Sequence, residues 1–162
     1  MQIRRFDYQR DVTAILALMP ELYESNFADF VADPEFIARK RYQLREATRD
    51  PAQAVLVAED ERGLLGFVWL MIDQEYSGLR RGEIAAICVS PRFRGAGVGR
   101  SLMQQGEATL RLMGASAVHL MVTAGNDAAV RLYQSLGFEI TRYQMEKTLR
   151  RFRGNEGPTH RS

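Results

Sequence analysis

The chain has 162 residues, of which 46% are hydrophobic and 26% charged, a composition typical of one globular domain and unlike disordered, collagenous or coiled-coil chains. Its 22 basic and 20 acidic side chains give a net charge of +2, so charge alone does not predict a nucleic-acid partner. One cysteine cannot form an intrachain disulfide, and with only two histidines it argues against a zinc site. No run approaches the roughly 20 apolar residues of a membrane helix, so we expect a soluble, cytoplasmic protein without a membrane partner.

The amino-terminal half predicts a strand, two helices and a hairpin. Met1–Tyr8 has the alternation of a strand, and the helix that follows takes Asp11 as its predicted N-cap. A second helix is predicted to open at Asp33-Pro34, an N-cap followed by proline in the first helical position, and to end near Thr48. Two antiparallel strands are then predicted around a tight turn, at Ala54–Glu59 and Leu64–Gln74.

The carboxy-terminal half begins with a short apolar run, Ile84–Val89, which is typical of a strand buried on both faces. Beyond a glycine cluster, the pattern predicts a helix, a strand, a helix and one or two final strands, at Val98–Met113, Ala117–Thr123, Asp127–Leu136 and Phe138–Leu149. The order β-α-α-β-β-β-α-β-α-β-β predicts a single α/β domain with a mixed sheet over residues 1–149. Residues 150–162 are predicted to be a flexible basic tail.

The glycine cluster lies between the buried strand and the next helix, and its sequence from Arg94 to Ser101 is Arg-Gly-Ala-Gly-Val-Gly-Arg-Ser. A helix N-terminus offers unpaired amides and a partial positive charge, and glycines let the backbone approach a ligand closely. Together with the two arginines, these features predict a cradle for pyrophosphate. A glycine-rich turn that serves only packing is the alternative.

Spacing separates the known phosphate loops. A dinucleotide-binding fingerprint and a P-loop, each counted from Gly95, both require glycine where this chain has Arg100. What remains, Arg94-x-x-Gly97-x-Gly99, resembles the coenzyme A loop of the GCN5-related N-acetyltransferase (GNAT) family. A second segment, Asn126–Phe138, is similar to a segment of that family that consists of an asparagine, a short helix with a tyrosine, and Gly-Phe. The resemblance extends from Met1 to about Leu149.

The resemblance implies an acetyl-CoA-dependent N-acetyltransferase in which a primary amine attacks the thioester directly in a ternary complex, without a metal. It places the pyrophosphate on the backbone of the glycine loop and the pantetheine arm on the end of the buried strand. Asn126 would bond that arm. The cofactor-binding residues are thus Cys88, Val89, Arg94, Gly95, Ala96, Gly97, Val98, Gly99, Arg100, Ser101, Asn126 and Tyr133. Related domains often pair through their last strands, which implies a homodimer.

Two side chains are the candidate catalytic groups. The resemblance makes Tyr133 the acid that protonates the leaving thiolate, although its helical spacing is equally a packing spacing. Glu83 matches the glutamate that acts as a base in some members, often through water, and an exposed strand-end glutamate is the alternative. Other acids that could serve are Glu24, Asp29 and Asp73. Cys88 is predicted to be a core residue, since no activating partner is evident.

The acceptor remains open from the residues alone. The stretch Glu21–Glu35 holds five acids and no base, which would attract a cationic amine but is also usual for a solvated surface. Polyamines, aminoglycosides, amino acids and protein N-termini all fit. Two other classes of function compete: an acyl-CoA-binding sensor without catalysis, and nucleic-acid binding through the arginines of the tail. His119, whose side chain alternates with those of Val118 and Leu120, is predicted to have a surface or structural role.

Overall fold

A mixed sheet with helices on both faces makes up the fold in the computed structural model, which describes residues 1–27, 29–74, 78–147 and 149. Within these residues the strands are β1 (Gln2–Arg5), β2 (Gln53–Asp60), β3 (Gly63–Gln74), β4 (Arg80–Val89) and β5 (Ala117–Leu120). The helices are α1 (Tyr8–Glu24), α2 (Pro34–Ala47), α3 (Val98–Leu112) and α4 (Asp127–Ser135), with a short 3₁₀ turn at Pro91–Phe93. The order confirms the predicted α/β class and its sequence of elements as far as α4.

The strands lie in chain order across the sheet, and the junctions are antiparallel except the last, where β5 runs parallel to β4. This parallel pair is short: it begins at Arg81 opposite Ala117 and ends at Ile84 opposite Leu120. β4 itself continues to Val89. Residues 85–89 therefore have β3 on one side and no described strand on the other.

A bulge lies in β4 just where β5 ends. Trp69 of β3 is opposite Ala86, but the next residue, Leu70, is opposite Ile84, so Ala85 has no partner on β3. Strand side chains alternate between faces, so an extra residue reverses the alternation beyond it. As a result Glu83, which is opposite Met71, lies on the same face as Cys88 despite their odd separation in sequence.

Two apolar layers hold the helices against the sheet. On one face, Ile15 and Met19 of α1 and Leu44 of α2 are buried against Phe67 and Trp69. On the other, α3 buries three fully enclosed side chains against β2, β3 and β4, namely Leu102, Met103 and Leu110. The helical spacing in the sequence predicts these faces, because residues three and four apart share one side of a helix.

The first helix starts one turn earlier than the sequence predicts, so the predicted N-cap at Asp11 is wrong. Asp7 is the N-cap, and its side chain accepts a hydrogen bond from the amide of Arg10 at 3.0 Å. Asp11 is buried and accepts two hydrogen bonds from the guanidinium of Arg4, at 2.7 and 2.8 Å. The predicted cap of the second helix is confirmed, because Asp33 accepts from the amide of Phe36 at 2.7 Å.

The predicted final strands at Phe138–Leu149 are not formed in residues 138–147 and 149. The alternation of apolar residues there is real, but Ile140, Tyr143 and Met145 are exposed and pack on no layer. A strand pattern predicts a strand only when one of its faces is buried. The basic tail predicted for residues 150–162 lies outside the described residues.

Asp11 joins the first strand to the first helix through charge. Its carboxylate also accepts the amide of Asp7 at 2.8 Å, and Arg4 bonds Glu59 of β2 at 2.7 Å as well. Burial raises the pKa of Asp11, but the hydrogen bonds of Arg4 and Asp7 outweigh it and hold the pKa below the ordinary 3.8. A carboxyl with a lowered pKa stabilises the fold above its ordinary pKa and loses that effect as the pH falls through the folded-state value.

We therefore expect Asp11→Asn to lower the free energy of unfolding by ~1–3 kcal/mol at pH 7, as for lost hydrogen bonds to a charged group. The difference from wild type should shrink as the pH falls below about 4. Urea unfolding across this pH range measures both effects. The control is Glu35→Gln, which breaks an exposed pair with Arg39 and should change stability little. An equal loss in both variants would contradict the role assigned to Asp11.

Candidate functional site

The loop between β4 and α3 bends through two glycines in the left-handed region. Gly95 has φ of 77° and Gly97 has φ of 81°, values that favour glycine over other residues. A Cβ added at either position would meet no atom within 4 Å, so the space in front of both is open. The conformation of the backbone, and not crowding inside the protein, requires these two glycines.

The N-terminus of α3 faces this loop with unpaired amides. The first helical hydrogen bond runs from the amide of Ser101 to the carbonyl of Gly97 at 3.1 Å. The amides from Gly97 to Arg100 therefore have no partner within the helix, and the helix dipole adds partial positive charge there. The amide of Ser101 is used inside the helix, so this residue can offer a ligand only its hydroxyl. Val98 is buried and can contribute only its backbone. The open space and these amides fit an anion.

The two arginines of the loop point in different directions. Nη2 of Arg94 donates to Oε1 of Glu21 on α1 at 2.6 Å, which ties the loop to the first helix. Nη2 of Arg100 donates to Oγ of Ser135 at 2.7 Å, which ties α3 to the end of α4. Sequence analysis missed Glu21 as a partner of the loop, because nothing in a sequence links residues separated by 73 positions.

The end of β4 lies beside this loop. Cys88 is buried in the α1–α2 layer, and its Sγ lies 4.0 Å from the carbonyl oxygen of Leu18. Burial, the largest cause, and the charge of Glu21 together raise the pKa of this thiol to about 11, against the opposing effect of Arg94. A thiol with this pKa is almost entirely protonated at neutral pH, which disfavours an acyl-cysteine. Val89, the last residue of the strand, is half-buried in the opposite layer.

The helix α4 carries the predicted Asn126 and Tyr133. Oδ1 of Asn126 accepts from the amide of Ala129 at 3.3 Å and caps the helix, which leaves the side-chain NH₂ as a donor. Tyr133 is half-buried, with its ring centroid 6.0 Å from that of Phe138. Burial raises the pKa of its hydroxyl above 10.0, so the group stays protonated at neutral pH and can donate a proton.

Glu83 lies at the centre of β4, opposite Met71 on β3 and His119 on β5. It is half-buried, and no hydrogen bond or ion pair joins its carboxylate to the residues that the structure describes. Near this point, Oγ1 of Thr123 donates to Oδ1 of Asn26 at 2.9 Å. This bond closes the chain beyond β5 onto the end of α1, so the gap beside residues 85–89 is bordered by α1.

Among the described residues there is neither a metal-binding cluster nor a membrane-spanning helix. No group of three or more histidine, cysteine, aspartate or glutamate side chains there could hold a metal ion. No helix among those residues has the length and apolar character needed to cross a membrane.

Comparisons with known proteins place this arrangement in a family. The model of the acetyltransferase (GNAT) family matches residues 17–138. A mycothiol acetyltransferase of Propionibacterium freudenreichii subsp. shermanii is 36% identical over 141 residues, which cover 84% of this chain and 43% of that protein. A second mycothiol acetyltransferase, from Thermobispora bispora, is 35% identical over 153 residues, covering 93% of this chain and 50% of that protein. The chain thus spans half or less of the length of these two relatives.

A solved structure agrees in fold. A Bacillus halodurans protein superposes with a TM-score of 0.79 over 92% of this chain and 99% of that chain, at 24% identity, which shows the fold alone. Members of the matched family use acetyl-CoA as cosubstrate. The family match covers the last part of α1, the glycine loop and α4, where the candidate residues lie. The chain therefore belongs to the GNAT acetyltransferase family.

Proposed function

We propose that the protein transfers the acetyl group of acetyl-CoA to a primary amine, in a small molecule or at a peptide N-terminus, by direct attack in a ternary complex. The observation that carries this proposal is the group of unpaired amides at the N-terminus of α3, beside the end of β4 whose edge away from β3 has no described strand partner. The N-terminus of α3 can bind phosphate, and the edge of β4 can pair with an extended chain. These two features match the pyrophosphate and the pantetheine arm of coenzyme A. Acetyl-CoA supplies the activated acyl group. The residues described next orient the two substrates and protonate the leaving thiolate.

In this proposal the backbone amides from Gly95 to Arg100 bind the pyrophosphate, and Arg94 exchanges Glu21 for a phosphate oxygen. The exchange replaces an exposed ion pair, which contributes little to stability, by a charge-assisted bond to a ligand. The exposed loop and the open space before Gly95 and Gly97 support this assignment. Arg100, whose guanidinium bonds Ser135, contributes its amide.

The pantetheine arm pairs with the free edge of β4, as an added strand would. Backbone groups of Cys88 and Val89 bond the arm, and an amide near Val89 polarises the thioester carbonyl. Asn126 donates its side-chain NH₂ to the same arm while its oxygen caps α4. The end of the β4–β5 pairing at Leu120 supports this step, because it leaves that edge of β4 open.

Tyr133 protonates the leaving thiolate, and Glu83 accepts the proton of the amine, directly or through water. An alkylammonium has a pKa near ~10.4, so a base is needed to supply neutral amine at pH 7. Burial of Tyr133 favours the protonated phenol that this role requires. The half-buried, unpaired carboxylate of Glu83 supports its own role as base.

The acceptor is chosen by experiment from a panel of amines, with release of the CoA thiol as the readout. The curated relatives are named mycothiol acetyltransferases, so a mycothiol-like amine heads the panel. Polyamines, aminoglycosides, amino acids and peptides follow. Binding of CoA without thiol release for any amine would favour the acyl-CoA-binding sensor, which is the alternative function.

Gly97→Val should abolish CoA binding, because its side chain would fill the open space where the backbone meets pyrophosphate. Because several amide–phosphate bonds are lost, the affinity for CoA measured by calorimetry should fall at least roughly 100-fold below that of wild type. Wild type should instead gain stability on binding, by about 2.7 kcal/mol when CoA reaches 100 times its Kd. The matched control is Gly63→Val in the β2–β3 turn, which also has a positive φ and open space. Unchanged CoA affinity in Gly97→Val, or no binding to wild type, would refute the cradle.

Tyr133→Phe should lower kcat by roughly 10²-fold, the low end for a general acid because a thiol is a good leaving group, with CoA affinity nearly unchanged. Glu83→Gln should remove the acidic limb of the pH dependence of kcat/KM, which Tyr133→Phe should retain. If Glu83 only binds a cationic acceptor, the variant raises KM and keeps that limb. Tyr143→Phe and Glu61→Gln, both exposed, are the controls. Full activity in Tyr133→Phe, or an unchanged profile in Glu83→Gln, would reassign that residue.

A homodimer is part of the proposal, and β5 with the segment after α4 is its expected interface. β5 is the last strand of the described sheet, and Ile140, Tyr143 and Met145 expose apolar surface that a partner could cover. Sedimentation at micromolar concentration should give twice the chain mass, and Met145→Glu should give the single-chain mass. A wild-type monomer would contradict the interface. A cytoplasmic location, and the absence of nucleic-acid and membrane partners, stay predictions of the sequence.

A further inference from the structure

Three side chains form a row across the sheet on the face that α1 and α2 cover. Met71 of β3 is opposite Glu83 of β4, and Glu83 is opposite His119 of β5. Residues opposite each other on adjacent strands project to the same face, with backbones ~4.8 Å apart. Met71 packs on the α1–α2 layer, so Glu83 and His119 lie side by side on that face. The neighbouring residues of His119, Val118 and Leu120, pack on the opposite layer.

His119 has a buried polar atom without a partner. Its Nδ1 is shielded from solvent and makes no hydrogen bond within the described residues. Native proteins pair nearly all such atoms, because an unpaired buried polar group costs free energy. Glu83 beside it is half-buried and makes no hydrogen bond or ion pair with those residues, but its carboxylate oxygens are not fully shielded from solvent. One register pair earlier on the same face, Arg81 lies opposite Asp73, so charges of both signs border the pair.

The pair lies where β4 and β5 separate. β5 ends one residue after His119, and Glu83 is two residues before the unpaired Ala85 of the bulge. Beyond this point the chain is closed onto α1 by the bond between Thr123 and Asn26. Two polar groups that have no partner among the described residues thus border the gap that the proposed function assigns to acetyl transfer.

We propose that His119 binds the acceptor together with Glu83, and that the acceptor is an amine with a second hydrogen-bonding atom three or four bonds from its nitrogen. Glu83 takes the amine, and Nδ1 of His119 pairs with the neighbouring hydroxyl or amide. The separation of adjacent strands sets this distance, since ligand atoms that contact both side chains lie roughly 3–5 Å apart. Amino alcohols and α-amino amides, including peptide N-termini, meet the requirement. The inference rests on the proposed function.

Two amines of similar size test the pairing: L-alaninamide, which has the second group, and isopropylamine, which lacks it. We expect wild type to prefer L-alaninamide, and His119→Phe to reduce that preference in kcat/KM about tenfold, chiefly through KM. His119→Asn places an amide near the position of Nδ1 and should restore part of the preference. A purely structural role would lower both amines equally, and that result would overturn the inference.

A second readout does not depend on turnover. In the His160→Gln variant, His119 is the only histidine of the chain, so its imidazole nitrogens can be followed by NMR with CoA present. Nδ1 should shift on titration with L-alaninamide and much less with isopropylamine, and no shift with either would overturn the inference. CoA binding and thiol release with the wider panel are measured alongside. Their absence would refute the proposed function, whereas their presence without discrimination at His119 would refute only this inference.

Discussion

The parting of β4 from β5 is the constraint on which the candidate site depends. A parallel pair needs a crossover, and here α3 supplies it, so the helix N-terminus and the carboxyl end of β4 lie next to each other. Because the pairing stops at Ile84 and Leu120, the last part of β4 has an edge at that same end without a described strand partner. The helix N-terminus beside β4 and the strand edge, the two features that the proposed function uses, are therefore both consequences of one topological step.

The bulge at Ala85 decides which side chains share the gap. Without the extra residue, strict alternation would place Glu83 and Cys88 on opposite faces. With it, both lie on the face that α1 covers, although Cys88 is sealed in the apolar layer while Glu83 is half-buried and unpaired. The raised pKa of Cys88 keeps the thiol protonated, whereas the carboxylate of Glu83 lies at the gap. The thiol stays in the core, and in the proposed function the carboxylate acts on the incoming amine.

Sequence reasoning succeeded where a local pattern carries its own physics. The cap at Asp33 before Pro34, the hairpin and the glycine loop depend on neighbours within a few residues. It failed where two residues could cap the same helix. Asp7 is the N-cap of α1, because the side chain of Asp11 is bonded to Arg4 of β1 instead. The bulge and the ion pair between Arg94 and Glu21 join distant parts of the chain and leave no local trace. The apolar alternation after Phe138 predicted a strand that the described residues do not form.

Asp11 of the scaffold and the pair Glu83 and His119 differ in their hydrogen-bond partners. Asp11 is as buried as a core residue, yet Arg4 and Asp7 give its carboxylate three hydrogen bonds, and the result is a joint between strand and helix. Glu83 and Nδ1 of His119 lie next to each other without such partners among the described residues. Folding alone gives no reason to bury Nδ1 of His119 without a partner, because an apolar side chain there would cost less. A ligand that bonds both groups would supply the missing hydrogen-bond partners, and it would enter through the gap between β4 and β5.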